Sequence, residues 1–179
     1  PCGSYTQPVS AGPVAEPALT ELSGIAASRL HPGVLFAHND SGDSARFFAL
    51  GPDGAALGEF QLEGVAARDW EDLAVGPCPQ GSCLFLGDVG DNAAVRTDYA
   101  VYRVPEPEVE VGAPVGVVTV PSERFPFRYP GGVSFNCETV LVQPLTGEVL
   151  VVTKMPVGQA SSAYKFPLPL DSGAEAELI

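Results

Sequence analysis

The chain has 179 residues, a length for one domain, with 45% apolar and 17% charged residues, 20 glycines and 18 prolines. So much glycine and proline excludes a helical bundle. The formal charge of −13, from 22 acidic and 9 basic residues, disfavours nucleic acid and anionic membranes, which repel it at long range, and suits cations or a basic partner.

Residues 1–18 open on PCGSYTQPV, polar from the start, as expected of a mature N-terminus whose export signal has been removed. A lipid-modified Cys2 is the alternative, and Pro1 is a poor residue for such a cleavage. No stretch reads as a transmembrane segment. From residue 19 onward, short β-branched and aromatic runs alternate with the turns HPG, GPDG, YPGG and PLTG, so the chain reads as all-β. Residues 19–67 supply four strands, GIAAS, VLFAHND, ARFFALG and ALGEFQLEG. Residues 68–130 repeat the order with DLAVG, CLFLGDV, YAVYRVP and GVVTVPSERF. Residues 131–179 repeat it again with TVLVQ, EVLVVTK and AYKFPLP, and reach AELI where a fourth strand is due.

A gapless shift of 48 residues superposes the first two copies, setting Asp40 on Asp88, Gly42 on Gly90 and Asp43 on Asp91. In the third copy Glu138 falls on Glu71, and Lys154 falls near the place of Asp88. Four antiparallel strands per repeat of about fifty residues is the pattern of a β-propeller blade, and a sandwich of similar hairpins is the alternative. The expectation is therefore a partial β-propeller: an N-terminal segment 1–18, blades 19–67 and 68–130, and an incomplete blade 131–179. Three blades do not close a ring, so the remaining blades, or another chain, are expected to complete it.

Of the four cysteines, Cys78 and Cys83 bracket a tight turn and fit a hairpin disulfide; Cys2 and Cys137 then pair. A zinc site is the competing reading, with only His31 and His38 to serve it. Disulfides place the protein in an oxidising compartment, secreted, periplasmic or at the cell surface.

On the blade reading, the first strand of each repeat lines the channel with Glu21, Ser23, Asp69, Glu71 and Glu138, and Lys154 joins them. The second strands end in acidic loops at one rim, carrying Asp40, Asp43, Asp88, Asp91 and Asn92. Clustered carboxylates need protons or a cation, and hard oxygen ligands select Ca²⁺ before Mg²⁺ or Mn²⁺. The metal set is thus Asp40, Asp43, Glu71, Asp88, Asp91 and Asn92. The plain alternative is that each DxGD is a turn, with Asp capping and Gly at positive φ. Trp70 reads as packing between blades. Glu71 with Asp88 is the best carboxylate pair for acid–base chemistry, and Ser41 beside His38 lacks a nucleophile elbow. The NDS at 39–41 matches a glycosylation sequon.

LSGIAAS, HNDSGD, RDWEDLAVG and GDVGDNAAVR, within residues 19–155, resemble a group of exported bacterial β-propeller proteins and, more distantly, esterase-like phytase and phytase-type propellers. The resemblance implies a six-bladed ring with a polar channel. From the phytase types it also implies bound calcium and phosphate-ester hydrolysis by a calcium-activated water, although this chain has no recognisable basic cluster for phosphate. Three functions are carried forward: a calcium-binding scaffold for a protein or small-molecule ligand, a calcium-dependent phosphoesterase, and a structural subunit that pairs through an open blade edge.

Overall fold

The computed structural model describes residues 7–179, and its regular structure is almost entirely strand. In chain order the strands are β1 (Leu22–Ala27), β2 (Leu35–Asn39), β3 (Arg46–Leu50), β4 (Ala56–Leu62), β5 (Trp70–Cys78), β6 (Gly81–Asp88) and β7 (Ala100–Pro105). They continue with β8 (Val117–Val120), β9 (Glu123–Arg128), β10 (Cys137–Val142), β11 (Val149–Thr153), β12 (Ala163–Lys165) and β13 (Ala176–Glu177), with a single 3-10 turn at Pro130–Gly132. Among the described residues no helix is long and apolar enough to cross a membrane.

Three sheets form, one per sequence repeat. The first runs β1-β2-β3-β4-β8, the second β5-β6-β7-β9-β13, and the third β10-β11-β12. Neighbours pair antiparallel except at two outer edges, where β8 lies parallel to β4 and β13 parallel to β9. This corrects the expected strand inventory. GVVTVPSERF is not one fourth strand: its first half, β8, extends the previous sheet, and the chain then returns as β9 to complete its own. Residues 117–120 thus leave the expected 68–130 unit for the first sheet, and residues 176–177 leave the 131–179 unit for the second. Leu178 N donates to Arg128 O at 3.0 Å, and Ile179 exchanges two hydrogen bonds with Lys165 on β12, at 2.7 and 2.9 Å.

Two apolar cores lie between the sheets. The first unites Phe36, Phe47 and Phe60 of sheet one with Trp70, Leu84, Leu86 and Tyr102 of sheet two. The opposite face of sheet two, with Phe85, Val101, Phe125 and Phe127, meets Val140, Val149, Val151 and Phe166 around the second core. Strand alternation explains the division: Leu84 and Leu86 point one way from β6, Cys83 and Phe85 the other. Sheet two is therefore apolar on both faces, which is why CLFLG lacks the alternation of a half-exposed strand. Edge-to-face aromatic pairs such as Phe127–Phe166, with ring centroids 5.2 Å apart, add to the burial.

The first strands of the three sheets lie side by side, β1 against β5 and β5 against β10. Each carries a register irregularity at the same level: between Leu22 and Ile25, between Trp70 and Asp72, and between Cys137 and Thr139. Bulges re-aim side chains and interrupt pairing, and here they fall on Ser23, Glu71 and Glu138.

The ladders also correct the gapless repeat. Leu22 faces Asn39 as Trp70 faces Asp88, and Ile25 faces Ala37 as Leu73 faces Leu86. The structural counterpart of Asp88 is thus Asn39, not Asp40, because the β5–β6 hairpin carries one more residue than the β1–β2 connection. Its turn is closed by the expected Cys78–Cys83 disulfide, with Cα atoms 5.8 Å apart. Cys2 of the expected Cys2–Cys137 pairing lies outside the described residues, and Cys137 is buried with its Sγ facing Thr139 O.

Candidate metal centre

Asp40, just after β2, and Asp69 and Glu71, at the start of β5, bring one carboxylate oxygen each to within 4.8 Å of one another. Two sheets therefore contribute. Backbone bonds fix the levels: Asp40 N donates to Glu21 O at 2.8 Å and Val89 N to Asp69 O at 3.1 Å. In the third sheet Lys154 N donates to Asn136 O at 2.9 Å, so Asp40, Val89 and Lys154 are equivalent, as are Glu21, Asp69 and Asn136.

Glu71 is the buried member, 7% exposed. Its carbonyl accepts from Ser23 Oγ at 2.8 Å, which ties the bulges of β1 and β5 together. Burial, and then the charges of Glu138, Asp40 and Asp69, push its carboxyl up to about 8, with Lys154 partly offsetting them. Burial also raises Asp69. Gly90 is explained by this cluster, not by the positive φ expected of the turn. A Cβ there would collide with Glu71 Oε1 and the Asp69 carboxylate, while Gly42, at φ +95°, stands in open space.

The other residues in the expected metal set have protein partners. Asp88 accepts from Arg68 N and Asp69 N at 3.2 and 3.1 Å, and from Arg96 at 2.7 Å. Arg96, 6% exposed, also donates to Gly90 O at 2.6 Å and to Asp98 at 3.1 Å. Asp91 accepts from Arg96 N and Tyr99 Oη, both at 2.7 Å. Burial opposes the Asp91 charge, but these bonds outweigh it and hold the carboxyl below its usual range, while burial and Asp91 push Tyr99 up to about 12. Asp43 is engaged by Arg46 at 3.0 Å and by Asn39 Nδ2 at 2.7 Å. Asn92 accepts from Asn136 Nδ2 at 3.2 Å. Glu21 is exposed, its N–H donating to Asn39 Oδ1 at 3.1 Å, the sheet-one counterpart of Asp69 N on Asp88.

Glu138, at the β10 bulge, accepts from Lys154 Nζ at 2.8 Å and Asn136 Nδ2 at 3.1 Å. The pair Glu71 and Asp88 is unsuited to acid–base exchange, since Arg96 and two N–H groups already occupy Asp88. His38 is buried, its Nδ1 2.6 Å from Asn39 O and its ring edge-on to Trp70, whereas Ser41 is exposed.

Several residues escaped sequence reasoning. Asn39 and Arg96 hold the two acidic loops. Asp72 accepts from Val140 N at 2.8 Å and Leu73 N at 2.9 Å, joining β5 to the β10 bulge. Its one signal was a second acid after Glu71 in an apolar strand. No protein-family model, curated protein or solved structure matches this chain.

Proposed function

We propose that the chain forms three blades of a β-propeller and that Asp40, Asp69 and Glu71 hold a divalent cation, Ca²⁺ by preference, at the rim where the blades' first strands meet. The observation that carries this reading is Glu71. It is buried at a bulge, aimed at two other carboxylates, and its own carboxylate accepts no hydrogen bond among the described residues. Such an arrangement is unfavourable for three anions and becomes favourable around a cation. The donors are all hard oxygens, which suit Ca²⁺, with backbone carbonyls or water completing the six to eight ligands it takes.

The proposed role is a scaffold: the ion joins sheet one, through Asp40, to sheet two, through Asp69 and Glu71. The Cys78–Cys83 disulfide supports a secreted or periplasmic setting, and the negative charge argues against nucleic acid as partner. Phosphoesterase chemistry is less favoured, because the cations nearest the cluster are already paired, Arg96 with Asp88 and Lys154 with Glu138. The direct test is thermal unfolding with calcium or chelator. The melting temperature should rise with calcium in the parent chain and stay unchanged in Asp69→Asn. An equal rise in both would count against this site.

A second reading has its own support. The Ile179–Lys165 pair lies along the free edge of β12, the edge at which the other two sheets carry β4 and β9. A strand from further blades or from another chain fits this edge. Light scattering should then show a stable assembly for the chain as given, and a persistent monomer would argue against pairing between copies.

A further inference from the structure

We propose that Lys154 sets the cation affinity of the Asp40–Asp69–Glu71 cluster by holding Glu138 out of it. This inference rests on the cation reading above and adds how that site is tuned. Repeat equivalence supplies the first observation. Glu138 occupies in β10 the bulge position that Glu71 occupies in β5, and Lys154 follows β11 where Asp40 follows β2. By position alone, Glu138 is a fourth carboxylate for the same centre.

Its contacts are the second observation. Glu138 Oε1 takes the Lys154 ammonium at 2.8 Å and the Asn136 amide at 3.1 Å. Glu138 is nevertheless brought to the cluster by the fold, since β10 packs against β5 and the two bulges lie at the same level. The ammonium therefore opposes a metal ion twice. It engages a carboxylate that could turn to the metal, and it sets positive charge beside a site for positive charge. Among the equivalent positions the contrast is sharp: Asp40 adds a ligand, Val89 is neutral, and Lys154 adds the competing cation.

A ligand is indicated independently of the number of acids. Glu71 is 7% exposed, directed into the cluster, and lacks a hydrogen-bond partner for its carboxylate among the described residues. Lys154 itself has a side chain 57% exposed, so Lys154→Met, which keeps an unbranched apolar stem, leaves the cores untouched.

The test is calorimetric titration of CaCl₂ into chelator-stripped full chain at low salt. We expect Lys154→Met to bind Ca²⁺ about tenfold more tightly than the parent, from the loss of one adjacent positive charge and the release of one carboxylate. Adding Glu138→Gln to that variant should abolish the gain. Binding by Lys154→Met but not by the parent would support the proposal in its strongest form. Parent binding with no tightening in Lys154→Met would overturn this inference alone. An undiminished gain in the double variant would overturn the role of Glu138. Absence of binding in all three would remove the cation reading, and this inference with it.

Discussion

The aspartates of GDVGDN and the carboxylates at the β5 bulge are neighbours in the fold, with Asp69 N donating to Asp88 at 3.1 Å, yet their surroundings are opposite. Asp88 and Asp91 are 4% exposed each, and they accept hydrogen bonds from Arg96, Tyr99 and backbone N–H groups. Glu71 is almost as buried, and its carboxylate meets other carboxylates. The difference teaches that an acidic motif is not itself a site. The aspartates that stand out in the motif brace a loop, and the less conspicuous glutamate in the neighbouring strand is the one whose carboxylate has no hydrogen-bond partner among the described residues.

The sharpest way to break this contrast is to remove the brace. Arg96→Met would leave Asp88 charged, buried and without its guanidinium, and Gly90 O without its donor. We expect a loss of about 3–5 kcal/mol in urea unfolding, partly recovered by adding Asp88→Asn. A loss below about 1 kcal/mol would mean that Asp88 reaches water or another partner, and the distinction between the two regions would fail.

The corresponding change at the bulge should act in the other direction and less strongly. The Glu71 carboxyl is raised from 4.5 to about 8 in the folded chain. The folded state therefore keeps a proton that the unfolded chain releases between those values. The stability this group contributes is full below pH 4.5, falls as pH rises, and levels off above pH 8. In chelator, Glu71→Gln should be neutral at acid pH and more stable than the parent by a few kcal/mol, on the order of the shift, at pH 9. With calcium the order should reverse, because only the parent can coordinate the ion with this carboxylate. Identical pH profiles for the two proteins would show that Glu71 is already compensated.

Much of this arrangement was legible in the sequence. Short β-branched and aromatic runs between glycine and proline turns located the strands, and the Cys78–Cys83 spacing named the disulfide. The quantities that depend on pairing across space were hidden. One extra residue in the β5–β6 hairpin slid the second strands by one position, so that Asp40 had seemed equivalent to Asp88 when Asn39 is. The parallel edge strands β8 and β13 follow long crossovers, and nothing local in VVTV says that it belongs to the preceding sheet. The bulge that turns Glu71 inward appears only in the ladder register. Arg96 was visible as a lone basic residue after GDVGDN, but its burial, which decides the fate of both aspartates, follows from the packing of the loop.

The central claim is that three carboxylates from two sheets bind one cation, and Trp70, the single tryptophan, stands between Asp69 and Glu71 in the chain. Titration with Tb³⁺, a luminescent calcium mimic excited through that indole, reads the site directly. The account predicts emission that saturates at one ion per chain, is displaced by Ca²⁺, and is lost in Asp69→Asn with Glu71→Gln. Emission that is absent in the parent chain, or unchanged in the double variant, would contradict it.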